Sequence, residues 1–206
     1  MSRPIIPLVL ALSFTLGCGT GSIRMTRDEY GRLPREYRQE IFDAENGLVI
    51  ARNREDEARD REAAAERALR DLAQKWKRTS QALTASGQAA KVPKARAVFE
   101  TNVAYVAAQV DVAAAGIRRA EAETRLNRAR LDLVRQRQFA RIGRATVGSL
   151  KPLEENVGAF ESKLKAAAAS EVDLRTRVQS QLNAWKVAED EFATASGDYD
   201  TGVWGE

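Results

Sequence analysis

The sequence predicts an all-α fold, an elongated antiparallel three-helix bundle of coiled-coil character. Three observations predict it: a composition rich in helix formers, apolar residues recurring at alternating steps of four and three, and helix breakers that divide the chain into three similar spans. Charged residues make up 30% of the 206, aromatic residues only 6%, and there are five prolines. Alanine supplies much of the apolar content and buries little area per residue, so the core is expected to be thin. Histidine is absent and Cys18 is the only cysteine. This removes the commonest acid–base group at neutral pH and the commonest metal ligand, and it excludes an intrachain disulfide or a thiolate metal cluster.

The chain starts with a short basic segment, Met1-Ser2-Arg3, and Ile5 to Leu16 carry no charge. That apolar run is too short for a stable bilayer span and has the length of a signal-peptide core. It ends in Thr15-Leu16-Gly17-Cys18, which resembles the lipobox of bacterial lipoprotein signal peptides: small or apolar residues, then Gly or Ala, then the cysteine that is lipidated after cleavage. It departs from the strict pattern, which prefers Leu at position 15 and a small residue at position 16. The resemblance covers residues 1–18. It implies a cleaved signal over 1–17, acyl chains on Cys18 and attachment to a membrane. Gly19 rather than Asp after the cysteine implies the outer membrane, facing the periplasm, with the inner membrane as the alternative. Several acyl chains, at about 0.8 kcal/mol per buried CH2, hold firmly where one alone does not. Residues 18–33, with Gly19, Gly21, Ser22 and Gly31 and no apolar period, read as a flexible tether.

A bundle is expected over 34–197, with helices at about 35–85, 93–142 and 150–196. Pro34 suits a first turn. Ser86-Gly87 and Pro93 mark one break, Gly143, Gly148 and Pro152 another, and Gly197 and Gly202 the end. Each helix would be ~70 Å long at 1.5 Å per residue. The heptad seam of the first runs from Tyr37 through Ile41, Leu48, Ala58 and Trp76 to Leu83. That of the second runs from Phe99 through Val106, Ile117 and Leu131 to Gln138. That of the third runs from Leu153 through Phe160, Leu174 and Trp185 to Phe192, Ala195 and Tyr199. Short connections make neighbouring helices antiparallel. A closed up-down-up bundle and a hairpin with a third helix on a partner bury the same seams, so both remain open at this point.

Polar residues interrupt the stripes, among them Glu55, Glu62, Thr124, Asn127 and Glu171. With turns centred at about residues 89 and 147, antiparallel pairing puts Glu55, Thr124 and Glu171 at nearly one level, as a partly hydrated polar seam layer. Long Glu side chains snorkelling to water account for such a layer. A register-fixing role or a bound cation is the sharper alternative. Facing carboxylates also raise an acid-pair hydrolase, but a rod implies no cleft for one.

Charge is uneven. Residues 91–151 carry 13 basic and 5 acidic side chains, whereas residues 152–206 carry 5 and 11. The arginine run from Arg118 to Arg144 suggests nucleic acid, which an exported chain should not meet. Complementarity with Glu154, Glu155, Glu161 and Asp173 on the third helix is the plainer expectation. The alternative is contact with an anionic membrane surface through Arg135, Arg137, Arg141 and Arg144, at the end where the tether enters. Residues 198–206 form a tail in which Trp204 has no seam to join. It reads as a disordered end, or as a hook for an envelope partner.

There is no phosphate-binding Gly loop, no metal-ligand spacing and no nucleophile beside a base. The expected class is therefore a non-enzymatic envelope scaffold or assembly factor without a cofactor. It would have a membrane contact through Cys18, a protein partner in the envelope, and self-association as an open question. A holdase-type chaperone or an accessory subunit of an export complex is the alternative. The stretch Ala104–Val134 is similar to the helical hairpins of outer-membrane export channels and their periplasmic adaptors, and to the coiled-coil arms of periplasmic chaperones. Ala-rich heptads are too widespread for this to assign a family.

Overall fold

Thr26 opens the first helix with a reciprocal cap. Its Oγ1 accepts from the Glu29 backbone N–H at 3.3 Å, while its own N–H donates to Glu29 Oε2 at 2.8 Å. This capping box starts α1 (Arg27–Arg32). The computed structural model describes residues 25–143 and 149–197. Leu33 after α1 is 2% exposed and lies in a cluster with Ile41, Leu48 and Leu131, against which Met25 and Tyr30 also pack. The flexible tether expected over 18–33 is thus corrected for residues 25–33, which fold onto the bundle. The Thr-x-x-Glu box and three apolar side chains outweigh the flexibility of Gly31.

Three long helices follow: α2 (Arg35–Ala85), α3 (Val92–Arg141) and α4 (Lys151–Ser196), with a single 3-10 turn, Ala89–Lys91, between α2 and α3. Pro34 is the N-cap of α2, and prolines occupy the first turns of α3 and α4, where a missing N–H costs nothing. Gly87, Gly143 and Gly197 adopt positive φ just past the three C-termini, a conformation that side chains with a Cβ resist. The 51 residues of α2 span about 75 Å at 1.5 Å each. Among the described residues there is no strand, and the fold is an all-α helical bundle. No helix among them is long and apolar enough to cross a membrane.

The seams identified in the sequence are buried or half-buried at every position from Tyr37 to Leu83 on α2, from Phe99 to Gln138 on α3, and from Leu153 to Phe192 on α4; Ala195 is exposed. α3 carries a second inward stripe: Val98, Asn102, Tyr105, Ala108, Val112, Ala115, Leu126, Leu133 and Gln136. The first stripe meets α2, where Trp76 stacks on Phe99 at 5.1 Å. The second lies on the side from which Tyr105 stacks on Trp185 of α4 at 5.4 Å. At 3.5 residues per turn the two stripes are set roughly 150° apart around α3, whereas a closed triangle of helices needs about 60°. α3 therefore lies between its neighbours, and α2 and α4 scarcely approach each other. The bundle is a nearly flat layer of three antiparallel helices.

Two apolar clusters close its ends. One is formed by Leu33, Ile41, Leu48 and Leu131. The other, of Ala95, Val98 and Phe192, draws Trp76 and Leu83 of α2 and Trp185 of α4 around it. Between them the buried positions are mostly small, among them Ala51, Ala58, Ala108, Ala115 and Ala120.

Candidate interaction site

That alanine-lined middle leaves one face of the layer uncovered. A groove of about 700 Å³ runs there along α3, floored by Val112, Ala113, Gly116 and Ala120 and walled by α2 and α4. Arg54 and Arg61 stand on the α2 wall, Arg119 on α3 and Arg175 on the α4 wall. A Cβ built on Gly116 meets nothing within 4 Å, so there is open space above the floor at that point. Arg54 pairs with Glu123. Glu171, 6% exposed, accepts from both Arg119 and Arg175, so one carboxylate serves two guanidiniums. The groove thus combines a mostly small-residue floor with rims that carry four arginines and three carboxylates, Glu57, Glu123 and Glu171.

Burial acts to raise the Glu171 pKa, but the hydrogen bonds from Arg175 and Arg119 outweigh it and hold the carboxyl below its ordinary 4.5. A carboxylate depressed in the fold stabilises above its unfolded pKa, and that stabilisation is lost as pH falls through the folded value. Asp132 and Glu189 are displaced the other way, chiefly by burial. Their contribution favours the fold at low pH and is lost as pH rises through their folded values. In thermal melts the Glu171→Gln variant is expected to lose less stability than the parent on acidification below about pH 4.5, because its acid limb lacks the Glu171 contribution. Parallel acid limbs in the two proteins would refute the assignment.

Glu55 and Thr124 line a smaller cleft of about 450 Å³ between α2 and α3, with Arg52, Arg59, Arg125 and Arg128. Glu55 pairs with Arg59, and Thr124 Oγ1 is buried without a hydrogen bond. Glu171 is not part of that cleft but lines the groove on the other face of the layer. Two causes separate it from the single polar level expected. α2 and α4 sit on opposite sides of α3, and the α3–α4 register, with Arg119 opposite Glu171 and Arg130 opposite Glu161, differs from the expected one by about one turn.

The arginines of α3 reach both neighbours. Arg135 pairs with Glu45 at 2.7 Å, Arg137 with Glu154 at 2.9 Å and Arg141 with Glu40 at 3.5 Å; Arg141 also lies over the Tyr37 ring. Each of the three thus has a carboxylate partner within the bundle. Such exposed pairs contribute about 0–1 kcal/mol each and chiefly select register and orientation. Arg144, Cys18 and the tail with Trp204 lie outside the described residues.

Sequence reasoning missed the groove residues Arg54, Arg61, Gly116 and Arg175. The signal that could have found them is the second stripe on α3, because a helix buried on two opposite sides must leave its neighbours apart. Among the described residues no group of three or more Cys, Asp or Glu is arranged to hold a metal ion. No protein-family model, curated protein or solved structure matches this chain.

Proposed function

We propose that this protein is a lipid-anchored envelope scaffold or assembly factor, held to the outer membrane through Cys18 and working without catalysis. The Thr15-Leu16-Gly17-Cys18 sequence after an uncharged run supports export and acylation. The observation that carries the scaffold role is the uncovered groove along α3. Its Ala and Gly floor lets another helix approach closely, and its arginine rims favour a partner helix bearing carboxylates, in the helix-in-groove mode of recognition.

The test has two arms. Labelled palmitate is expected to enter the parent protein and not Cys18→Ser, which should leave the membrane fraction. Equal labelling of the two would overturn the anchor. A photocrosslinking side chain at exposed Arg61, in the native envelope, is expected to trap a defined partner. Adding Gly116→Leu should cut that adduct at least tenfold while raising stability by about 0.5–1 kcal/mol, since Leu is the better helix former and the site is open. Unchanged adduct yield with Gly116→Leu would reject the groove as the docking surface.

A further inference from the structure

We infer that two copies of this chain pair in parallel through the outer face of α2, over residues 39–57. The large apolar side chains exposed on α2 are Phe42, Val49 and Ile50, at 50, 53 and 51%, and all fall within this one short stretch. Their face points away from the α3 seam of Ile41, Ala44, Leu48 and Ala51. Gln39, Phe42, Asn46, Val49 and Asn53, all exposed, recur at steps of three and four. α2 thus carries a second heptad stripe beside the one that builds the bundle. In it Gln39, Asn46 and Asn53 take the a positions, and Phe42 and Val49 the d positions. Asparagine at a costs stability but selects two strands in register, because each amide can bond its twin.

The flanking charges choose the direction. In a parallel pair a g residue faces the e residue five positions on in the partner copy. That sets Arg38 against Asp43 and Arg52 against Glu57, each twice by symmetry. An antiparallel pair centred on Asn46 would instead oppose Arg38 with Arg52, Glu45 with Glu45 and Glu36 with Glu57, all like charges. Arg38, Arg52 and Glu57 form no ion pair among the described residues, whereas the arginines of α3 from Arg130 to Arg141 are all paired across helices. Unpaired charges therefore border the exposed apolar stripe in the order that a second copy would complement. Two heptads bury well under the roughly 1,200 Å² of a stable interface, so the pairing is weak in solution. A parallel pair also brings both N-terminal segments to the same end. On the proposed membrane anchor, confinement would raise the effective concentration toward the millimolar range. The pairing itself does not depend on that anchor.

The experiment uses the full chain with Cys18→Ser in mild detergent, carrying a single new cysteine in place of Asn46, Asn53 or, on the outside of α4, exposed Thr176. Under copper-phenanthroline oxidation, Asn46→Cys and Asn53→Cys are expected to form disulfide dimers at least tenfold faster than Thr176→Cys. Equal rates at all three positions would overturn the proposal. Fast Asn46→Cys with slow Asn53→Cys would reject the parallel direction. Adding Arg52→Glu should slow dimerisation of Asn46→Cys severalfold, and Glu57→Arg on top should restore it. No loss with the first change, or no rescue with the second, would contradict the charge pairing. All these positions are exposed, and matching circular dichroism melts verify that the fold is intact.

Discussion

Replacing Phe192 by Ala is expected to cost about 3–5 kcal/mol. Phe192 is 6% exposed and joins Ala95 and Val98 in the cluster at the far end of the layer. That is where α2, α3 and α4 come together, through Trp76, Leu83, Phe99 and Trp185. Elsewhere α2 and α4 touch α3 but scarcely each other, so this cluster ties the two outer helices together. The residues around it sit on long helices, and Ala95 and Ala188 have no side chain that could swing in to fill the space. The cavity should therefore persist, adding its own penalty to the lost transfer energy. Urea unfolding followed at 222 nm measures the effect. Val187→Ala is the control, because Val187 is 57% exposed and its loss should stay within about 0.5 kcal/mol. A Phe192→Ala midpoint no lower than that of Val187→Ala would mean the helices do not meet at this cluster.

The fold was legible because the period of a wound helix is written in every turn. The α2 seam from Tyr37 to Leu83 contains Glu55, Glu62 and Thr79, yet each of these is still half-buried, since position on the helix decides orientation whatever the side chain. The open shape was not legible from one seam per helix. On α3 the second stripe interleaves Ala108, Ala115 and Gln136 with the first, and small or polar residues are weak markers of an inward face. The register between α3 and α4 depends on the connection after Gly143, whose path the sequence does not specify; an offset of a few residues there moves Glu171 away from Thr124. The six-residue α1 is too short to show an apolar period, so only its capping box at Thr26 and Glu29 marks it in the sequence. The candidate site was the least legible part. Arg54, Arg119 and Arg175 look like ordinary solvated arginines until α2 and α4 are placed on opposite sides of α3, leaving the Gly116 floor uncovered.

Gly47 separates the close packing of α2 on α3 from mere tolerance of glycine, and Gly47→Leu is expected to cost about 1–3 kcal/mol. A Cβ at this position would lie 3.0 Å from Asn127 Oδ1, whereas one at Gly116 or Gly158 meets nothing within 4 Å. Asn127 is not free to withdraw, because its Nδ2 donates to the Glu123 backbone oxygen at 2.9 Å. Glu123 in turn is held across the interface by Arg54. A leucine would therefore have to break the Asn127 hydrogen bond or push the helices apart, and either loss exceeds the ~0.8 kcal/mol gained by removing a mid-helix glycine. The two explanations for the cost separate in a double-mutant cycle. If Asn127 is the obstacle, Gly47→Leu in an Asn127→Ala background should lose most of its penalty, giving an interaction energy of about 1 kcal/mol or more. Additivity within about 0.5 kcal/mol would show that the two residues do not meet, and would place α2 at a different distance or register along α3.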